Sequence, residues 1–122
     1  MLFMSLLTVI HRLKDQAFVN PEDIVGLNIK LKTSENVERV RRAHLNDLEN
    51  ILVFVMVSYA YIHTNPEIDT ANMLFSMFTL ARFVHTLVYS VYVMPQPARA
   101  ISFVVANFIT IYMTFKGIMH FM

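Results

Sequence analysis

The chain has 122 residues, room for one domain (1–122), and is 56% hydrophobic with 16% charged residues. Soluble domains average about 45–50% apolar and about 25% charged, so this balance points to a membrane protein. The absence of cysteine excludes a disulfide framework, thiolate metal sites and a nucleophilic cysteine, and leaves any thiol chemistry to a thiol brought by a ligand. The net charge of +1 says little by itself, but seven of the ten Lys and Arg lie between Arg12 and Arg42.

The opening MLFMSLLTVI lacks the basic stretch before it and the small-residue cleavage site after it that mark a signal peptide. It reads instead as the second half of a membrane helix whose first half is missing. Pro and polar clusters at AFVNPED (17–23), HTNPEID (63–69) and MPQPAR (94–99) divide the rest. The apolar stretches between and after them show no period-two alternation, which predicts helices. Ile51–Ile62 is too short to cross a bilayer, which needs about 20 residues. It spans only if its helix begins upstream and carries His44, Asn46, Asp47 and Glu49 into or near the apolar layer. Charges there usually face a bundle interior or a wet cavity. Residues 73–94 hold only Arg82 and His85 as potential charges, and 100–115 hold none, with the helix expected to run past Lys116. The predicted fold class is all-α: an integral membrane four-helix bundle with the first helix incomplete. The basic Arg12–Arg42 region and Arg99 place the first and third connections in the cytosol and the C-terminus on the opposite side.

ENVERVRRAHLNDLENILVFV (Glu35 to Val55) sets a run of charged groups before and inside an apolar segment. At helical spacing Glu38, Arg42, Asn46 and Glu49 fall within an arc of about 80°, with Arg41 on its flank and His44 and Asp47 on other sides. Arg82, His85 and Tyr89 share an arc of about 60°. Arg99 stands at the start of the fourth helix, two residues after Pro97, which suits a first turn. Taken singly, each has a structural reading. Arg42 with Glu38 or Glu49 fits an ion pair, His85 an interior hydrogen-bonded histidine, and Tyr89 an interfacial anchor. His44 and His85 have neither ligand spacing nor a third ligand, so no metal site is expected. No nucleic-acid module surrounds the basic residues, and Lys30, Lys32 and Arg39 suit anionic lipid. Together, several arginines with an acid, an amide and a tyrosine suit a small anion bearing several carboxylates and one amine.

VERVRRAHLNDLENI (37–51), with FVNPED (18–23), ARFVHTLVY (81–89) and PQPARAISF (95–103), resembles the MAPEG family of membrane proteins in eicosanoid and glutathione metabolism. The resemblance is closest to its microsomal glutathione transferase branch, with the prostaglandin E synthase branch as neighbour. It implies a homotrimer of four-helix bundles in the endoplasmic reticulum membrane, with the mitochondrial outer membrane as a second location. Glutathione, the substrate, is expected between neighbouring subunits near the cytosolic face. Carried over by motif, Arg12, Arg41, Arg42, His44, Asn46, Glu49, Arg82, His85 and Tyr89 match glutathione-site or supporting positions. Arg99 matches the arginine that stabilises the glutathione thiolate, and Tyr89 could add a hydrogen bond to it. Glu38 and Asp47 are expected in orienting or structural roles. The thiolate would attack a hydrophobic electrophile dissolved in the bilayer, or reduce a lipid hydroperoxide.

Leu45 and Ala100 stand where the prostaglandin synthase branch has arginine and serine, which favours the transferase. Ile24 replaces the reactive cysteine of mammalian transferases, so activation by thiol modification is expected to be absent. The short N-terminal stretch suggests a truncated form. A glutathione-dependent isomerase and a truncated non-catalytic subunit are therefore the alternative readings.

Overall fold

The computed structural model describes residues 2–122. Four α-helices follow in order: α1 Leu2–Asp15, α2 Glu35–Ile62, α3 Ile68–Thr86 and α4 Gln96–Phe121. One 3-10 turn covers Pro21–Ile24, a π-helical turn continues α3 over Leu87–Val91, and no strand occurs among the described residues. Three segments, Glu35–Ile62, Ile68–Val91 and Gln96–Phe121, are long and apolar enough to cross a membrane. The expected all-α membrane fold is found. α2 starts upstream at Glu35 and holds the whole RRAHLNDLE run within one helix, and α4 continues past Lys116.

The chain forms two compact units, Met1–Asn46 and Asp47–Met122. In the first, α1 ends where Gln16 takes a left-handed φ of 50°. Ala17 N–H then reaches Arg12 O at 2.9 Å and Gln16 N–H reaches Leu13 O at 3.4 Å, the Schellman pattern that satisfies terminal carbonyls. α2 begins on Ser34, whose Oγ accepts from Asn36 N–H at 3.2 Å, as an N-cap serine does. The Ser34 hydroxyl and the Asn36 amide also donate to the Asp15 carboxylate, which ties the end of α1 to the start of α2. These donors hold the Asp15 carboxyl below its ordinary range.

In the second unit the last part of α2 packs with α3 and α4 around Phe54, Tyr61, Leu74, Phe78, Ile109 and Met113. Phe54 stacks on Phe78 with centroids 3.5 Å apart, and Phe75 meets it edge-on at 5.9 Å. Ala71, Ala81, Ala106, Ser102 and Gly117 are buried; such small residues let membrane helices approach closely where no hydrophobic force separates helix from lipid. Large apolar side chains such as Leu52, Met56, Leu80, Phe83, Phe108 and Phe115 are exposed, as lipid contact allows.

One buried polar contact crosses this unit. Arg82 on α3 pairs with Asp47 on α2, and both side chains are only 3% exposed. The Thr86 hydroxyl lies 2.7 Å from Asp47 Oδ2 and 3.0 Å from Arg82 O, sharing its single hydrogen between them. A carboxylate seven residues before buried Phe54 and fourteen before buried Tyr61 lies on the inward stripe of α2 and needs a cation there. Breaking such a pair by removing one partner leaves an uncompensated buried charge.

Two outcomes are expected. Asp47→Ala should cost about 3–5 kcal/mol, and pairing Asp47→Leu with Arg82→Met should recover most of that loss; thermal unfolding in detergent compares them, and equal midpoints for the single and double variants would refute the pair as the fastener. Asp15, with its pKa lowered in the folded chain, adds stability above the ordinary carboxylate range and loses it as pH falls through the lowered value. Pepsin cleavage within 16–34 should therefore rise as pH drops from ~5 to ~2, and Asp15→Asn should remove the part of that rise owed to the α1–α2 tie.

Candidate functional site

Where α3 meets the first turn of α4, the polar side chains of the second unit converge. The ideal helical arc over 73–94 does not hold to its end: α-geometry stops at Thr86, and Tyr92 N–H reaches back five residues to Leu87 O at 2.8 Å. The Ser90 hydroxyl donates to Thr86 O at 2.6 Å. Hydroxyls that bond the carbonyl four residues back compete with the helical ladder, and a π turn adds a residue to the turn, often at functional positions. The wider turn sets the register at which Tyr89 leaves the helix.

α4 begins with Pro95 before it and Pro97 in its first turn, so Arg99 falls in that turn as expected. Its guanidinium carbon lies 4.6 Å from the centroid of the Tyr89 ring. Among the described residues no carboxylate lies within ion-pair distance of Arg99. A cation in the first helical turn opposes the helix dipole, so Arg99 gains nothing from its place in α4. Together with the helix N-terminus it projects positive potential suited to an anion.

His85 completes the cluster. Its Nδ1–H donates to Arg99 O at 3.1 Å, and the ring meets Tyr89 edge-on at 5.7 Å and Phe103 at 6.0 Å. A carbonyl can only accept, so Nδ1 carries the hydrogen and Nε2 is left as an acceptor in the neutral ring. Nε2 is buried and meets no partner among the described residues. The Ser102 hydroxyl sits 3.0 Å from Ala98 O, 3.1 Å from Arg99 O and 3.4 Å from His85 Nδ1, bracing the backbone from which Arg99 projects.

Of the residues expected at the site, His85, Tyr89 and Arg99 are brought together. Arg82 is turned to Asp47 instead, beside them on α3. Glu49 is exposed on α2. Within Met1–Asn46, Arg41 pairs with Glu38 at 2.8 Å and Arg42 with Glu35 at 2.6 Å, all at least partly exposed. Arg42 thus meets Glu35 on its own helix. His44 and Asn46 are half-buried on α2, and Arg12 is half-buried on α1 with its Nε buried and without a hydrogen-bond partner among the described residues. Asp47, expected in an orienting or structural role, holds Arg82, while Thr86 and Ser102 were outside the expected set. Among the described residues no group of three or more potential metal ligands occurs.

The sequence profile of the MAPEG family matches residues 1–119. Microsomal glutathione S-transferase 1 of Homo sapiens is 44% identical over 122 residues, covering 95% of this chain and 78% of its own. The Bos taurus protein of that name is 43% identical over 120 residues, covering 93% and 77%. Prostaglandin E synthase of Canis lupus familiaris is 36% identical over 99 residues, covering 79% and 63%. With the family profile spanning nearly all of its length on a four-helix membrane fold, the chain belongs to the MAPEG family.

Proposed function

We propose that this chain is a membrane-bound glutathione transferase whose Arg99 stabilises the glutathione thiolate. One observation carries the reading: a guanidinium in the first turn of α4 rests on the Tyr89 ring, and among the described residues no carboxylate lies close enough to neutralise it. The similarity to microsomal glutathione S-transferase 1 supports the choice of anion. The thiol of a cysteine-like group has a pKa of about 8.5, so most is protonated at neutral pH, and each unit by which a nearby cation lowers it is worth about 1.4 kcal/mol. The thiol proton leaves to water. The sulfur then forms a bond to the electrophilic carbon of an apolar substrate, and a halide or other leaving group departs with its electron pair. No covalent bond to the protein forms; the protein's part is activation and positioning.

In this reading Arg12, Arg41, Arg42, His44, Asn46 and Glu49 bind the glutathione carboxylates and amine. His85 offers Nε2 as an acceptor, and Arg82 supports the site through Asp47. The exposed pairs of Arg41 and Arg42 are worth about 0–1 kcal/mol each, so a ligand carboxylate can displace their own-helix partners cheaply. The assembly is a homotrimer in the endoplasmic reticulum membrane, with lipid hydroperoxides as further substrates. An isomerase like the prostaglandin synthase ranks second, since those relatives are less identical and cover less of the chain.

Conjugation of a chlorinated nitroaromatic by the purified chain in detergent tests this. Arg99→Ala should lower kcat/KM at neutral pH about tenfold or more and move the pH–rate profile upward by about one unit or more. Arg99→Lys should restore part of the loss. Wild-type chain that neither binds glutathione nor turns over would overturn the transferase reading; an Arg99→Ala profile identical to wild type would overturn the role of Arg99. Tyr89→Phe should keep Arg99 in place, whereas Tyr89→Leu, which loses a contact worth about 0.5–2 kcal/mol, should lower conjugation severalfold.

A further inference from the structure

Lys116 is the one cation of α4 that the thiolate chemistry does not use. It follows Arg99 by 17 residues on the same helix, a rise of about 25 Å, close to the ~30 Å of a bilayer's hydrocarbon. A membrane that holds Arg99 at one interface therefore holds Lys116 near the other. There a cleft of about 360 Å³ opens, walled by Tyr61 at the end of α2, Glu67 just before α3, and Tyr112, Lys116 and His120 on α4. Its volume lies in the range of small-molecule sites, about 300–1,000 Å³.

The charges in this cleft are kept apart. Glu67 and Lys116 both line it, yet among the described residues no ion pair joins them. Thr70 Oγ1 donates to Glu67 Oε2 at 3.2 Å and holds that carboxylate on the α3 wall. Lys116 Nζ lies 5.9 Å from the centroid of the Tyr112 ring on the α4 wall. Lysine and tyrosine at a membrane boundary ordinarily serve as anchors that snorkel to water. That role gives no reason for an acid fixed on the facing wall, nor for a histidine beside the lysine.

We propose that this cleft binds the headgroup of a zwitterionic phospholipid. The phosphodiester meets Lys116 and His120. The ammonium end meets the Glu67 carboxylate on the facing wall. Met119, exposed and on the same wall, gives the acyl chains an apolar surface to follow into the bilayer, which makes a lipid the source of the headgroup rather than a soluble phosphate ester.

Native mass spectrometry of the full chain, released from micelles carrying either phosphatidylcholine or phosphatidylglycerol, tests this. The wild type should retain phosphatidylcholine about tenfold better than phosphatidylglycerol, the worth of one hydrogen-bonded charge contact. Lys116→Gln should lower retention of both lipids, and Glu67→Gln should erase the preference between them. Both side chains are exposed, so circular dichroism should show an unchanged fold. Equal retention of the two lipids by wild type, or retention unchanged in both variants, would overturn the site. Glycerophosphocholine that binds as tightly as the intact lipid would overturn the lipid as its source. A shift in oligomer mass with lipid retention unchanged would make the cleft a subunit contact and overturn it as well.

Discussion

The buried pair of Asp47 and Arg82 is the constraint on which the meeting of α3 and the first turn of α4 depends. Two ions in an apolar bundle cost several kcal/mol each to desolvate, and only close geometry with further hydrogen bonds offsets that. Thr86 supplies one such bond from the next turn of α3. Because Arg82 must face Asp47, the rotation of α3 about its axis is set, and His85, three residues on, is delivered to the backbone of α4. The same hydroxyl also touches Arg82 O, and Ser90 repeats the motif on Thr86 O. The helix widens immediately beyond, and Tyr89 emerges beneath Arg99. One ion pair between α2 and α3 thus decides where a tyrosine and an arginine meet between α3 and α4.

Four of the six arginines divide into three electrostatic classes. Arg82 is sealed with a carboxylate at 3% exposure; its charge is spent within the protein, and no ligand could take it without exposing Asp47. Arg41 and Arg42 hold carboxylates of their own helix at about half exposure, in pairs that solvent screens and that an incoming carboxylate could exchange. Arg99 meets a neutral ring. Counting these arginines would treat all four alike, but burial and partner identity separate a sealed pair, exchangeable surface pairs and a cation held only by a ring.

Much of this was legible in the residues. The apolar lengths and proline punctuation carried the helices, and the shortness of Ile51–Ile62 required α2 to begin upstream and bring its charges inside. The meeting of His85, Tyr89 and Arg99 could be anticipated from their motifs. The role of Arg82 could not be separated from theirs, because helical spacing places it on the same arc and only the position of Asp47 across the helix boundary tells them apart. The π turn was hidden because an ideal period of about 3.6 residues was extended through it, and back-bonding hydroxyls do not mark it, since Thr110 and Thr114 bond back in the same way within regular α-helix. The end of α1 was likewise silent: Gln16 takes the left-handed position that glycine usually fills, whereas Asn65, at φ 50° after α2, is a residue type that tolerates it.

The choice of a tyrosine under Arg99 has a further physical consequence. A carboxylate there would hold the guanidinium more firmly but would cancel the field that an anionic sulfur needs. A ring face holds it by about 0.5–2 kcal/mol and leaves its five N–H donors and full charge for a ligand. The dipole of α4 adds to that field at the same end, and His85 fixes the carbonyl of the very residue that carries the charge. The arginine is positioned without being neutralised, which is the condition a thiolate-stabilising cation must meet before its ligand arrives.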